Sequence, residues 1–315
     1  MNKYRYDLPQ LQDRLFMTDG GLETTLVFQN GIDLPYFAAF DLLKDDEGTL
    51  VLHRELARYA EVARTHGMGL VLESPTWRAN PDWAARLGYD AAELADANRK
   101  AIALLLRIRT EYEAPHTPVV ISGNLGPRGD DYQSNVRMTA DQARDYHQQQ
   151  VETFARTDSD MICAMTLNYV EEAVGIIRAA EACAMPVAIS FTVETDGSLP
   201  SGETLARAIE RTDSETGGYA VYYMIKCAHP THFKHVLYEG GEWRNRIRGV
   251  RANASKRSHV ELDESTQLDE GNPRELGDDY CALQALLPRL AVVGGCCGTD
   301  HRHVEAICNA LQGRA

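Results

Sequence analysis

The feature that most constrains this chain is an alternation that runs from Arg14 almost to its end: a short apolar run, a polar or glycine-bearing loop, then a longer stretch of helical periodicity. Residues 15–18, 69–73, 118–122, 160–165, 186–191, 220–226, 247–252 and 290–293 read as strands. Between most of them, residues 56–65, 91–112, 139–156, 170–182, 204–211, 280–286 and 303–311 carry helical patterns. Eight strands alternating with helices predict an α/β chain of the (β/α)₈ TIM barrel type, with a doubly wound open sheet as the alternative, because one spurious strand would change the count. No short-period repeat, low-complexity tract or proline-rich linker divides residues 1–315, so the sequence reads as a single domain. Two connections are long. Residues 27–48 follow the first strand and carry Tyr36, Phe37 and Phe40, suited to covering a barrel mouth or to a subunit contact. Residues 255–277 are polar and follow the seventh strand, where a barrel would use them as a lid or a solvated excursion.

Composition narrows the partners. At 315 residues, 44% hydrophobic and 25% charged, the chain suits a globular protein with a large core. A formal net charge of −14 without a basic tail argues against nucleic-acid backbones and anionic membrane surfaces. The N-terminal residues show no signal-peptide core and no apolar run is long enough to span a bilayer, so a cytoplasmic location is expected. Seven cysteines are then thiols or ligands rather than a disulfide framework. Cys163, Cys183, Cys281 and Cys308 fall inside apolar strand or helix patterns and read as small buried hydrophobes.

In a barrel, residues just past the C-terminal ends of different strands converge. Polar and glycine residues gather at those positions: 19–24, 74–77, 123–130, Met165-Thr166, Thr192, Lys226-Cys227-Ala228-His229, Asn253 and Gly294-Gly295-Cys296-Cys297. Cys296 and Cys297 cannot easily pair with each other, because neighbouring side chains diverge. The glycines around them remove bulk and permit unusual dihedrals. Cys227 ends the sixth strand as they end the eighth, so a closed barrel would bring three thiols to one rim. Three protein ligands with an open fourth position is the arrangement of a catalytic zinc; three buried cysteines is the plainer alternative. Zinc held by three thiolates is electron-rich, poor at making hydroxide and well suited to binding an incoming thiol as thiolate. His229, His232 and His235 recur every three residues and cannot all meet one ion, so helix-surface or C-cap roles are expected of them; His301 and His303 read as solvent-facing early helix positions. Trp77, Tyr36 and Tyr132 are rim aromatics that could face a cation or simply pack.

Together, Thr18-Asp19-Gly20-Gly21-Leu22-Glu23-Thr24, Gly126-Pro127-Arg128-Gly129-Asp130, Cys227-Ala228-His229-Pro230 and Gly294-Gly295-Cys296-Cys297-Gly298-Thr299 resemble the motifs of the homocysteine S-methyltransferase family, in the family's order and over nearly the whole chain. The resemblance implies a (β/α)₈ barrel with Zn2+ bound by Cys227, Cys296 and Cys297. It also implies Asp19, Gly20 and Gly21 beside the homocysteine, with Asp19 placing its ammonium group. Two positions depart from the family pattern. Met165, followed by Thr166, stands where a substrate-holding glutamate is usual, and Lys226 stands where asparagine usually precedes the cysteine. Both bear on how an amino acid would be held. The implied activity is methyl transfer from a small cationic donor, such as S-methylmethionine, S-adenosylmethionine or a betaine-like compound, to the thiol of homocysteine or a related thiol. The alternatives are a zinc barrel enzyme acting on a different thiol, and a non-enzymatic zinc-binding or thiol-sensing barrel. The partners implied are a small-molecule thiol and a methyl donor, with a homo-oligomer left open.

Overall fold

A computed structural model describes residues 2–12, 14–129 and 137–313; Asp130 and Tyr132 lie outside the described residues. Eight parallel strands close into a barrel in sequence order: β1 (Phe16–Met17), β2 (Gly69–Glu73), β3 (Val119–Leu125), β4 (Met161–Leu167), β5 (Val187–Thr192), β6 (Tyr222–Lys226), β7 (Ile247–Ala252) and β8 (Val292–Gly295). Closure is made where β1 pairs with β8, Phe16 opposite Val292 and Met17 opposite Val293. An open doubly wound sheet has no such pairing, so that alternative falls.

Side-chain alternation along each strand divides the core in two. Val71 on β2, Val120 on β3, Met161, Cys163 and Met165 on β4, and Tyr222 and Met224 on β6 pack together inside the barrel. Leu70, Leu72, Ile121, Ile162 and Ile225 face the other way and pack with the helices. Each fully buried residue of this kind contributes about 1.5–3 kcal/mol relative to exposure. The inward positions continue upward as Glu73, Asn124, Lys226 and Arg251, so the barrel interior turns from apolar to charged at the C-terminal ends of its strands.

Helix boundaries differ from the sequence reading where polar residues hide the period. The helix before β2 spans Asp46–His66, beginning ten residues before the expected start, because Asp45 caps it by accepting from the Gly48 N–H. The helix after β6, Pro230–Tyr238, was not expected from periodicity, and His229 caps its N-terminus by accepting from the Thr231 N–H. His229 and His232 are therefore buried at the start of a helix, not on its surface or at its C-cap. His303 is likewise buried, bonded to Asp300 and to the Glu270 carbonyl, rather than facing solvent. Cys281 is exposed, contrary to its apolar context; Cys163 and Cys308 are buried as expected. The polar stretch after β7 holds a short helix, His259–Asp263, started by a capping box between Ser258 and Glu261, and ends in the helix Pro273–Leu286. Among the described residues, no helix is long and apolar enough to cross a membrane.

Candidate metal centre and active site

Cys227 follows β6 directly, and Cys296 and Cys297 follow β8. Their sulfurs converge. Cys296 Sγ lies 3.1 Å from Cys227 Sγ, Cys227 Sγ lies 3.6 Å from Cys297 Sγ, and the Cys296 and Cys297 sulfurs are 3.9 Å apart. Tetrahedral zinc with bonds of about 2.3 Å separates its sulfur ligands by about 3.8 Å, so two of the three spacings already suit a shared ion. Among the described residues, this is the group of three potential ligands able to hold a metal ion.

Local backbone features hold the sulfurs there. Cys227 adopts a left-handed conformation with φ 63°, a strain of about 1–3 kcal/mol for a residue with a side chain. Bonds on both sides hold it: its N–H donates to the Arg251 carbonyl at 3.1 Å, and its own carbonyl accepts from His259 Nε2 at 2.5 Å. On the other strand, Gly294 serves space rather than dihedral freedom, since a Cβ there would sit 2.0 Å from Thr18 Oγ1. Gly21 plays the same part in the β1 loop, where a Cβ would meet the Cys296 carbonyl oxygen at 2.5 Å. The first motif is thus packed on the last.

A cavity of about 470 Å³ opens above the sulfurs. It is lined by Asp19, Gly20, Gly21, Thr166, Lys226, Cys227, Cys296 and Cys297, so the structure brings these residues to one cavity. Met165 is not among the lining residues; it points into the apolar barrel interior, where its sulfur lies 3.8 Å from Cys163 Sγ. Thr166, turned by a φ of 58°, faces the cavity in its place and accepts a hydrogen bond from Trp77 Nε1 at 2.7 Å. At the mouth, the Arg78 guanidinium is stacked 4.0 Å from the centres of both the Trp77 and Trp83 rings. Tyr36 and Phe37 join these at the opening, whereas Phe40 is buried in the outer core against Tyr89.

The floor is charged. Asp19 Oδ1 and Arg251 Nη2 are 2.7 Å apart and almost wholly buried. Arg251 also donates to the Gly295 carbonyl from Nε at 3.0 Å and to the Gly20 carbonyl from Nη2 at 3.1 Å. One guanidinium therefore ties the β1 loop to the end of β8. Breaking such a buried pair from one side costs about 3–5 kcal/mol. Burial works most strongly against a charged Lys226 and Arg251 adds to it, but Cys296, Cys227 and Glu23 together outweigh both, and the ammonium is held above its ordinary range. Burial likewise pushes the Cys296 thiol up; hydrogen bonds from Cys227 and Cys297 and the Lys226 and Arg251 cations outweigh it and hold Cys296 well below a normal thiol. Cys297 moves the opposite way through its bonds to the other two sulfurs. Cys296 is thus the more acidic of the two neighbouring thiols. Glu73, on the inward face of β2, is driven up to about 7 by burial, against the pull of Arg251. The sequence reading passed over Glu73 and Arg251. Their signal was a charged residue at an inward-facing position of an otherwise apolar strand.

A family model described as homocysteine S-methyltransferase matches residues 16–311. Among solved structures, the metallated form of the homocysteine methyltransferase MmuM from Escherichia coli superposes with a TM-score of 0.72 at 19% identity, covering 98% of this chain and 99% of that one. The oxidized form gives 0.70 at 18% identity, with 98% of each chain covered. The apo form gives 0.64 at 19% identity, with 98% and 99% covered. No curated protein matched the sequence significantly.

Proposed function

Since the chain belongs to the homocysteine S-methyltransferase family, and is on that ground an S-methyltransferase acting on homocysteine, we propose that it is a zinc-dependent enzyme taking its methyl group from a small cationic donor. The observation that carries the proposal is the convergence of Cys227, Cys296 and Cys297 within 3.1–3.9 Å of one another at the floor of the cavity. Zinc held by these three residues would supply the Lewis acidity that keeps the acceptor sulfur ionised at neutral pH.

The protein's own groups account for the rest. In the transfer, the acceptor thiol loses its proton, its sulfur forms a bond to the methyl carbon, and the bond from that carbon to the donor's cationic centre breaks, leaving the donor neutral there. Lys226 offsets the negative charge that the thiolates place on the floor. Asp19, anchored by Arg251, fixes the β1 loop and presents a carboxylate edge towards the acceptor. Trp77, Trp83 and Tyr36 line the opening through which a donor would approach, with Arg78 stacked on both Trp rings and Arg86 over Trp83 and Tyr36. Holding acceptor and donor in line within the cavity would supply the positioning gain of a two-substrate reaction. A cytoplasmic setting, where thiols stay reduced, suits this chemistry.

Met165 leaves β4 without a carboxylate at the cavity, so a related thiol without an amino group is a further acceptor to test beside homocysteine. Purified, reduced, zinc-loaded protein offered homocysteine with S-methylmethionine, S-adenosylmethionine and a betaine should form methionine with one of them. Cys227→Ser, Cys296→Ser and Cys297→Ser should each lose metal and turnover while keeping the far-UV circular dichroism of the barrel. Stoichiometric zinc with no methionine formed from any donor would reject the proposal.

A further inference from the structure

The cavity contains one carboxylate whose role the charged floor does not explain. Glu73 is 3% exposed, lines the cavity, and its Oε2 is enclosed without a hydrogen-bond partner. A buried carboxylate oxygen left unpaired is costly, on the order of several kcal/mol, and such an atom in a cavity points to a ligand that completes it. Asp19 is differently placed: its Oδ1 is already matched by Arg251 at 2.7 Å. On β4, the inward residue at the top of the strand is Met165, which offers no charge.

We propose that Glu73 binds the α-ammonium group of the acceptor and thereby makes the site selective for amino-acid thiols. The inference rests on the thiol methyltransferase reading above and names the residue that sets its substrate class. An ammonium group brings one positive charge and three hydrogen-bond donors, and a donor is what Glu73 Oε2 lacks. The arrangement moves the counter-charge from β4 to β2, onto the strand whose following loop carries Trp77 and Arg78. The groups facing Glu73 come from every neighbouring wall: Arg251 on β7, Asp19 after β1, Ser122 on β3, Cys163 on β4, and Lys226 and Tyr222 on β6. Arg251 and Lys226 favour its ionised form and Asp19 opposes it, and burial leaves it half protonated near neutral pH when no ammonium is present. An entering ammonium would therefore release a proton from this carboxyl.

The test uses the full zinc-loaded chain and two ligands that differ only in the amino group: L-methionine, the product, and 4-(methylthio)butanoate. Calorimetric titration at about pH 6.5 in buffers of different ionisation enthalpy gives both affinity and protons released. In the wild type, methionine should release more protons than its des-amino partner. Glu73→Gln should abolish that difference and weaken methionine about 10- to 100-fold, the worth of a hydrogen bond to a charged group, while leaving 4-(methylthio)butanoate within about twofold. Equal weakening of both ligands, unchanged methionine affinity, or equal proton release in the wild type would overturn the inference. If any of these occurs in a protein that still converts homocysteine to methionine, the methyltransferase reading stands and only the role of Glu73 is lost. A wild type that binds neither ligand and transfers no methyl group removes the reading and the inference together.

Discussion

At the scale of single residues, the site depends on charges that the barrel keeps dry. Asp19 and Arg251 neutralise each other at 2.7 Å, Lys226 offsets the thiolates, and Glu73 is left with its ionisation suppressed. Suppression has a measurable sign. The native carboxyl holds its proton up to about pH 7, whereas an unfolded glutamate releases it near the ordinary 4.5. Between those values the folded state binds more protons, so stability is greatest below the unfolded pKa and is lost as pH rises through the folded one. The shift corresponds to about 3 kcal/mol. Urea unfolding of the wild type and Glu73→Gln across this range should show their stability difference moving against the wild type by about that amount, and a pH-independent difference would show that Glu73 ionises freely. These two buried charges were within reach of the sequence. Glu73 and Arg251 fall on the inward parity of β2 and β7, a pattern that shows only once strand ends are known to the residue. Met165 was read as the end of the fourth strand, whereas β4 runs on to Leu167, and the left-handed turn that swings Thr166 to the cavity is a backbone property with no sequence signature.

At the scale of elements, the site is assembled by connections. The strands were legible because runs buried on both faces are short and apolar, and β2 and β7 begin and end where the pattern puts them. Asp46–His66 and Pro230–Tyr238 were not fully legible, since polar residues after Asp45 and the His229-Pro230 start hide the apolar period, whereas Ala91–Tyr112, opened by Asp90, was. The most consequential of these is His259–Asp263, placed over the rim by the polar stretch after β7. His259 reaches from it to the Cys227 carbonyl and lies 3.5 Å from Glu194 after β5. It therefore links three strand ends beside the three-cysteine cluster, and the strained Cys227 peptide rests on it. His259→Ala should let that peptide relax and weaken zinc retention about 10- to 100-fold in competition with a chelator, the usual effect of removing an outer-shell support. Unaltered retention would place the strain's support in the Arg251 carbonyl bond alone.

At the scale of the whole molecule, closure of the barrel makes chemistry from residues far apart in the chain. Cys227 and Cys296 are separated by 69 positions, yet their sulfurs are 3.1 Å apart because β6 and β8 flank β7 in one closed sheet. The same closure packs Gly21 on Cys296, so the first and last motifs form one wall. The double cysteine and its distant partner were readable because the barrel's topology is regular enough to map strand ends onto a rim. The aromatic mouth was readable only in part: Trp77 and Tyr36 were expected at the rim, whereas the Arg78 stack between Trp77 and Trp83 depends on loop packing. The central claim is a three-thiolate zinc centre with a fourth position for the acceptor's sulfur. X-ray absorption at the zinc edge of reduced, zinc-loaded protein tests it directly. The expected spectrum fits three sulfur ligands at about 2.3 Å and one lighter atom, changing to four sulfurs when homocysteine is added. A centre with fewer than three sulfurs, or one that homocysteine leaves unchanged, would contradict it.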